Sequence, residues 1–528
     1  MKSVTRATVL ELFQSQVRAD AGAPALHYFG TTISRGELDY VSDALAAAFH
    51  RRGVEPGDRI AISLQNTPGF ALSALAAFKV GAIVVPVNPT YRVRELAHVL
   101  RDSSARLLIA DPALADTVAE LPTGARAQEV LYSGGADLAA GEGPWRADEP
   151  RPAPQLLDVI AEHAGAAPRP LRETTRVALL TYTSGTTGPS KGAMNTHANV
   201  SYEIDAWRDW MALDERDVML ALAPLFHITG FIIHLSLSLA TGMPLVLTYR
   251  FAAARAAALV ERYRATVTIA SITAYIALLD EPEAARFDMS SLEKVFSGGA
   301  SVSAAVVERY ERTFGPYIHN AYGLTETTSG TVAVPLGSRA PVESSSGALS
   351  IGVPLPGVSV TVRGDSGAEL LPGEMGELIM RGPQVAEGYW RNEEETAAAF
   401  VDGSVHTGDV GFVDKEGWIY VVDRMKDIIV ASGYKVWPRD VEDVLYEHPA
   451  VLEAAVVGAP DNYRGETVHA YISLRSGEEA TPEELRAHCR ERLAAYKCPS
   501  RIEIRADLPK TPSGKILRRE LRAEAVTS

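Results

Sequence analysis

The chain has 528 residues, enough for about two to four domains or subdomains rather than one simple core. Hydrophobic residues make up 46% and charged residues 22%, ordinary for a soluble globular protein, and a formal net charge of −15 argues against a broad nucleic-acid surface while leaving room for small anions in a locally positive pocket. The two cysteines, Cys489 and Cys498, suit neither a disulfide scaffold nor a zinc site and point to a reducing, cytoplasmic setting; the N-terminal stretch lacks the apolar core of a secretion signal.

Residues 8–19 read as a short helix with Val9, Leu12, Phe13 and Val17 on roughly one face, and 26–33 as an edge hairpin turning at Gly30. Ser34 and Glu37 have capping-box spacing ahead of Leu38, Val41, Leu45 and Phe49, which recur at helical spacing. Strands at 59–64, 82–86 and 105–110 alternate with helices near 70–80 and 93–102. That alternation predicts an open, largely parallel sheet with helices on its faces. Residues 132–170, rich in Pro, Gly and Ala, predict a surface excursion. The core resumes at Arg176 with a strand at 177–180, then a helix–strand series over 195–210, 218–223, 228–241, 244–248, 253–264 and 266–270. Residues 218–249 contain no Asp, Glu, Lys or Arg and are long enough to span a bilayer. Pro224, Gly230, Gly242 and Pro244 interrupt them, and a buried helix between two strands is the better reading. From about 347, short β-prone runs between glycines and prolines predict a small antiparallel sheet or barrel. From about 427 a last α+β unit is expected, with helices at 438–447 and 482–494 and strands at 453–458, 468–474 and 500–505.

Chemistry concentrates in five segments. The first, 182–193, reads YTSGTTGPSKGA, with hydroxyls at Thr183, Ser184, Thr186 and Thr187, glycines at Gly185, Gly188 and Gly192, and Lys191. Glycines let backbone N–H groups close on an anion, hydroxyls donate to phosphate oxygens and a lysine adds charge. A phosphate-gripping loop follows, with spacing unlike the common P-loop. The second is Ser297-Gly298-Gly299-Ala300, a strand running into a glycine turn, where ligands of parallel sheets sit. The third, Asn320-Ala321-Tyr322-Gly323-Leu324-Thr325-Glu326, offers a ring to stack on a purine, polar groups for phosphate and a carboxylate as a hard oxygen ligand for Mg²⁺. The fourth is Thr407-Gly408-Asp409 with Asp423-Arg424, suited to sugar hydroxyls, and the fifth is 509–516, PKTPSGKI, a lysine on a glycine-containing loop.

In this order the five segments resemble the core motifs of the AMP-forming acyl-adenylate family, which includes acyl-CoA synthetases, coumarate ligases, beetle luciferases and peptide-synthetase adenylation domains. The resemblance runs from about residue 10 to 520 and looks closest to bacterial fatty-acyl-CoA ligases. It implies an α/β fold: a large N-terminal unit, 1–424, of stacked, mostly parallel α/β sheets with a small β-barrel-like subdomain at about 347–424, a hinge at 425–427, and a mobile α+β C-terminal domain at 428–528. It also implies that Thr183, Ser184, Gly185, Thr186, Thr187, Gly188 and Lys191 hold the ATP triphosphate, with Thr186 and Glu326 at Mg²⁺. Gly298, Gly299, Ala300, Asn320, Ala321, Tyr322 and Gly323 would line the adenine, Thr325 would touch the α-phosphate, and Asp409 with Arg424 would bind the ribose. Lys515 would act in adenylation, and Lys426 would be the pivot of a rotation that withdraws Lys515 and brings Gly433 and its neighbours toward coenzyme A. His227 would close over the substrate carboxylate; the other reading of His227 is a packed core histidine. Val430 stands where some relatives carry a lysine for the second half-reaction, so no basic group is assigned there.

The expected acyl pocket uses Tyr202, Trp207, His227, Phe231, Ile232, Ser271, Thr273 and Ala321. It has no evident partner for a second carboxylate or an α-amino group, which favours an apolar acid of medium or long chain, with Phe231 as an aromatic gate. Small residues at Gly230, Ala300 and Ala321 leave a bulky aryl or polycyclic acid open, and an amine or a carrier-protein thiol remains a possible acceptor in place of CoA. A non-catalytic nucleotide-binding scaffold is the other class, opposed by the joint presence of Lys191, Glu326, Asp409, Arg424 and Lys515. Expected partners are a small carboxylic acid, ATP, Mg²⁺ and CoA, with no transmembrane segment; peripheral membrane contact and a monomer or homodimer both stay open.

Overall fold

Short apolar runs become strands and the amphipathic runs between them become helices. The computed structural model describes residues 7–144, 152–169, 171, 175–183, 190–343, 348–364, 366–424, 427–431, 434–461, 465–511 and 516–527, with the backbone alone for 423, 424, 434, 435 and 527. One sheet has six strands in the order Glu129–Tyr132, Leu107–Ala110, Arg59–Ser63, Ile83–Pro86, Val177–Tyr182, Gly192–Thr196. Its neighbours are parallel except the last pair. A second sheet has nine strands. Its parallel centre runs Ile318–Leu324, Lys294–Ser297, Val267–Ala270, Met219–Ala221, Leu245–Leu247, Pro24–Tyr28, and antiparallel strands close both edges.

Strand alternation decides what lies between the sheets. Ile60 and Ile62 of the first sheet share one apolar cluster with Met219, Ala221, Ile269 and Phe296 of the second. Their neighbours Ala61 and Leu108 face a second cluster, and Leu220 and Val295 face a third. The shared cluster is filled by helices, among them Val9–Ala19, Arg35–Arg51, His197–Trp210 and Pro68–Lys79. The last is buried all round, as a helix between two sheets must be. Lys79 at its end is only 4% exposed and is neutralised by donating to Asp39 and Asp43, each at 2.6 Å.

The expected helix start at Ser34 is present: Glu37 N–H donates to Ser34 Oγ at 3.2 Å, and Ser34 N–H donates back to Glu37 Oε2 at 2.8 Å. The uncharged stretch resolves into strand Met219–Ala221, a π-helical segment Gly230–Ser236 continuing as helix Leu237–Thr241, and strand Leu245–Leu247. Among the described residues no helix is long and apolar enough to cross a membrane. Among the elements the alternation did not announce are strand Glu129–Tyr132, helix Leu156–Glu162, strand Gly192–Thr196, helices Ile272–Asp280 and Ala304–Phe314, and helix Arg518–Thr527. Gly192–Thr196 carries no apolar alternation and is held as a strand by its antiparallel partner Val177–Tyr182.

Strands Ser359–Arg363, Gly376–Arg381, Phe400–Val401, Ser404–Val413 and Ile419–Arg424 form a separate antiparallel sheet. After it come Ile429–Ala431, Tyr434–Val436, Val451–Asp461, Gly465–Leu474 and Arg501–Arg505, a further five-stranded sheet. Val456, Ala470 and Ile472 pack under helices Pro438–Tyr446 and Pro482–Arg492, and the alternate residues Ala455, Val457 and Tyr471 pack against Arg518–Thr527. Cys489 and Cys498 are free and buried within the first of these layers. Arg475 reaches Asp280 at 2.8 Å and Arg439 donates to the Val302 carbonyl at 3.3 Å, joining this unit to the nine-stranded sheet's side of the molecule. The α/β class, with mixed sheets and a C-terminal α+β unit, is as expected.

Candidate active site

The parallel strands of the larger sheet end side by side. Register places Ala270 beside Ser297, and Ser297 beside Asn320. The chain then turns: Gly298 N–H donates to the Ala270 carbonyl at 3.1 Å, and a Cβ on Gly298 would meet the Ala321 carbonyl oxygen at 3.0 Å. Gly299 follows at φ +79° with open space over it. Ala300 is half-buried against the cluster beneath. The Asn320 carboxamide donates to the Ser350 carbonyl at 3.1 Å, which ties the strand end to the segment before the antiparallel sheet. Gly323 sits where the hairpin folds back on itself: a Cβ there would lie 1.8 Å from the Ser329 carbonyl oxygen.

From the same strand the Tyr322 hydroxyl donates to Asp409 Oδ2 at 2.5 Å. Asp409 is 3% exposed, and its strand pairs with Ile419–Arg424 so that Asp409 lies opposite Arg424. Thr407 Oγ1 accepts the Asp409 N–H at 3.1 Å and donates to the Leu378 carbonyl at 2.7 Å. Glu377 accepts the Gly408 N–H at 3.0 Å. The carboxylate is thus set by three segments far apart in sequence.

The phosphate-type loop is closed at its neck by Thr183 N–H donating to the Lys191 carbonyl at 2.9 Å. Before it, Tyr182 donates to Asp102 at 2.6 Å; burial first, and that hydrogen bond second, push its phenol far above the usual range. Beyond the loop, residues 386–390 pair along Gly192–Thr196: Trp390 N–H donates to Gly192 at 2.8 Å and Met194 N–H to Gly388 at 2.9 Å. This brings Tyr389 and Glu395 to Lys191. The ammonium lies 4.9 Å from the Tyr389 ring centroid and 2.5 Å from Glu395 Oε2. The Tyr389 hydroxyl in turn donates to Glu326 Oε1 at 2.6 Å. Burial, then the Glu326 charge, push the Tyr389 phenol well up, so it is a donor and not an anion. Fully buried Asn195 donates to the Thr325 carbonyl and to Thr328 Oγ1, both at 3.0 Å, and so fastens the Thr325–Thr327 turn to the strand that leaves the loop.

The residues expected along the acyl chain occupy several places. His227 is half-buried just before the π-helical segment, and the Thr229 N–H donates to its Nδ1 at 3.3 Å. Phe231 is fully buried, with its ring edge-on to Phe70 and Phe78 at 6.1 and 6.3 Å. Ile232 lies in the same cluster between the sheets. Trp207 Nε1 donates to Glu203 Oε2 at 3.0 Å and to the Gly330 carbonyl at 2.8 Å, and its ring meets Phe296 at 5.6 Å. The Tyr202 hydroxyl donates to the Pro356 carbonyl at 2.7 Å. Ser271 and Thr273 are half-exposed at the sheet's carboxyl edge, with hydroxyls 2.7 Å apart, and Ala321 is 4% exposed beside Gly298. Gly230 is held close, since a Cβ would lie 2.0 Å from the Pro224 carbonyl oxygen; it does not open space as the sequence suggested. Ser184, Gly185, Thr186, Thr187, Gly188, Lys426, Gly433 and Lys515 lie outside the described residues, and of Arg424 only the backbone is described.

Two regions match family models: residues 13–390 match the AMP-binding enzyme model, and 440–515 match that of the AMP-binding enzyme C-terminal domain. The chain belongs to the AMP-binding enzyme family. Among curated relatives of this AMP-binding enzyme, a long-chain-fatty-acid–CoA ligase of Bacillus subtilis (strain 168) is 36% identical over 522 residues, covering 95% of this chain and 91% of the relative. A feruloyl-CoA synthase of an Amycolatopsis species is also 36% identical, over 514 residues, covering 96% and 97%. Among solved structures, the anthranilate CoA ligase AuaEII in complex with anthranoyl-AMP superposes with a TM-score of 0.86 at 27% identity, covering 98% of this chain and 97% of that one.

Sequence reasoning missed Tyr389, Glu395, Asn195, Glu377 and Asp102. Each acts through a contact with a distant segment, and none stands in a run of chemically unusual residues. The only local trace is the Gly388-Tyr389-Trp390 triplet ahead of an acidic stretch.

Proposed function

We propose that this AMP-binding enzyme is an ATP-dependent acid–CoA ligase acting on an apolar carboxylic acid, with a medium- or long-chain fatty acid favoured. The observation that carries the reading is the double use of one strand and its turn. Tyr322 binds the Asp409 carboxylate, while Glu326, at the next turn, is linked through Tyr389 to Lys191. An adenosine over Tyr322 with its ribose hydroxyls on Asp409 would therefore send its phosphates toward Glu326 and Lys191. The relatives named as acyl-CoA ligases support the same assignment.

In this reading a carboxylate oxygen attacks the α-phosphorus, the bond to the β-phosphate oxygen breaks, and pyrophosphate leaves. The step needs alignment and charge neutralisation, and no protein nucleophile. Lys191 and Lys515 supply positive charge, Thr325 meets the α-phosphate, and His227 closes over the acid. The half-buried Glu326, linked through Tyr389 to Lys191, offers a hard carboxylate donor, which fits Mg²⁺ with Thr186 as its expected companion. Mg²⁺ there supplies charge neutralisation on the triphosphate. The thiol of CoA then attacks the acyl carbon, the carbon–oxygen bond to AMP breaks, and AMP and the thiol proton leave. A rotation about 425–427, with Lys426 as pivot, would exchange Lys515 for the face bearing Gly433 between the two steps.

A bulky aryl acid is the second reading, favoured by the feruloyl-CoA synthase relative, whose identity equals that of the fatty-acid ligase. Purified protein with ATP, Mg²⁺ and CoA against saturated acids of graded length and a set of aryl and polycyclic acids, read for acyl-CoA and AMP by mass spectrometry, separates them. A maximum at one chain length supports the fatty-acid reading, and a maximum on ring acids supports the second. Acyl-AMP with no thioester overturns CoA as acceptor, and amines and carrier proteins are then the acceptors to supply.

A further inference from the structure

The contact that no part of the proposed chemistry requires is the ion pair of Lys191 with Glu395. Lys191 stands at the exit of the phosphate-type loop, with its side chain 21% exposed, and Glu395 lies in the first turn of helix Glu393–Ala399 with its side chain 48% exposed. Their separation is fixed by the pairing of 386–390 along Gly192–Thr196, and by Asn392, whose side chain accepts the Glu395 N–H at 3.1 Å. Among the described residues the ammonium has two partners within this frame, the Glu395 carboxylate and the face of Tyr389. The ring cannot move away without releasing Glu326, to which its hydroxyl donates. The carboxylate is the free end of an exposed glutamate and can swing into water.

We infer that Glu395 is an internal counter-anion for Lys191 that exchanges with the phosphates of the incoming nucleotide. It holds the lysine in place over Tyr389 while the site is empty, competes with ATP for that lysine, and takes it back as pyrophosphate leaves. Three physical points support this. A triphosphate carries several charges against one on Glu395, so the exchange runs toward the ligand. An ion pair this exposed is weak, so giving it up costs little. A carboxylate that stays beside the bound phosphates repels them, so its presence weakens binding of ATP and of pyrophosphate alike and speeds departure of the product. Glu395 is therefore a positioning residue: it acts on the nucleotide through Lys191.

The inference rests on the reading of this site as an ATP site, and the test separates the two. ATP and pyrophosphate binding are measured by calorimetry on the full-length wild type, Glu395→Gln, Lys191→Met, and the double variant, with Glu394→Gln as a control for loss of a nearby charge. Glu395→Gln is expected to tighten both ligands by about two- to fivefold, the range of an exposed ion pair, with the gain shrinking as salt is raised. In the Lys191→Met background the same substitution is expected to give a clearly smaller gain, because the exchange partner is gone and only the direct repulsion of the phosphates remains. Glu394→Gln is expected to change binding by less than Glu395→Gln. Unchanged or weaker binding in Glu395→Gln overturns the inference. So does an equal gain with Lys191 absent, which would make Glu395 a simple repulsive charge. Failure of the wild type to bind ATP overturns the ATP reading itself. Steady-state kinetics add a second readout: KM for ATP falls in Glu395→Gln, and kcat falls where pyrophosphate release limits turnover.

Discussion

The two ends of this molecule's proposed active region are built on opposite principles. At the proposed nucleotide end, three polar side chains are each set by a partner far along the chain: Tyr322 by Asp409, Glu326 by Tyr389, Lys191 by Glu395. Between the sheets, Phe231, Ile232, Phe70 and Phe78 are placed by apolar burial and helical or strand periodicity. Hydrogen bonds and ion pairs are directional and fail when one partner goes, whereas apolar contacts are shared among many neighbours and fail by volume. The nucleotide end should accordingly lose function to small chemical changes that leave the fold intact, and the interior should lose stability to changes of volume.

Exceptions at the backbone would break that division, and they carry the largest expected effects. Gly323→Ala places a Cβ 1.8 Å from a carbonyl oxygen at the nucleotide end, and Gly230→Ala places one 2.0 Å from a carbonyl oxygen at the interior end. Both should destabilise by about 4 kcal/mol or more, read as a shift of the denaturation midpoint, since backbone atoms must move. Next comes Asp409→Ala, which removes the acceptor of the Tyr322 hydroxyl and the proposed ribose contact. The loss of a charge-assisted hydrogen bond, about 1.5–3 kcal/mol, should raise KM for ATP by roughly tenfold to a hundredfold with the circular dichroism spectrum unchanged. Tyr389→Phe keeps the ring under Lys191 and removes only the donor to Glu326. A loss of about 1 kcal/mol, a few-fold in kcat/KM at limiting Mg²⁺ and less at saturating Mg²⁺, is expected.

A buried carboxyl sharpens the comparison from the other side. Glu203 is a carboxyl group inside the apolar region, fully buried, with one oxygen accepting from Trp207 and the other without a partner among the described residues. Burial holds its pKa well above the usual carboxylate range, with the Trp207 hydrogen bond opposing. A raised folded pKa means the proton is retained on folding. The associated stability is complete below the unfolded pKa, near 4.3, and is lost as pH rises toward the folded value. Glu203→Gln, which keeps the shape and an acceptor for Trp207, should therefore match the wild type near pH 4 and become progressively the more stable of the two at neutral pH and above. Parallel stability curves for the two proteins across that range would show that the carboxyl does not titrate between the folded and unfolded states.

Much of the architecture was legible because it rests on local rules. The capping box at Ser34 and Glu37, the alternating strands and helices over 59–110, and the uncharged strand–helix–strand at 218–249 all follow from periodicity and turn chemistry in a short window. The five motif segments stood out in the sequence as candidate chemistry, since hydroxyls, glycines and a lysine in one loop suit a phosphate. Strand Gly192–Thr196 was not legible: its five residues alternate nothing, and only pairing with Val177–Tyr182 makes them a strand. Phe231 was placed by its spacing from His227, yet its ring is packed against Phe70 and Phe78 from a helix about 150 residues earlier, a contact that no spacing reveals.

By itself, the sequence determined most of the local elements, and which segments offer residues suited to phosphate and sugar, because both are properties of neighbouring residues. The tertiary structure alone decided which groups meet. Tyr389 and Glu395 reach Lys191 because a strand near the middle of the chain recruits 386–390 as its neighbour, and Asp409 reaches Tyr322 because a separate antiparallel sheet is seated at the end of the large one. Such meetings depend on how sheets pack and which backbone edges are left to pair. Those are choices made by the whole chain at once, and no window of it contains them.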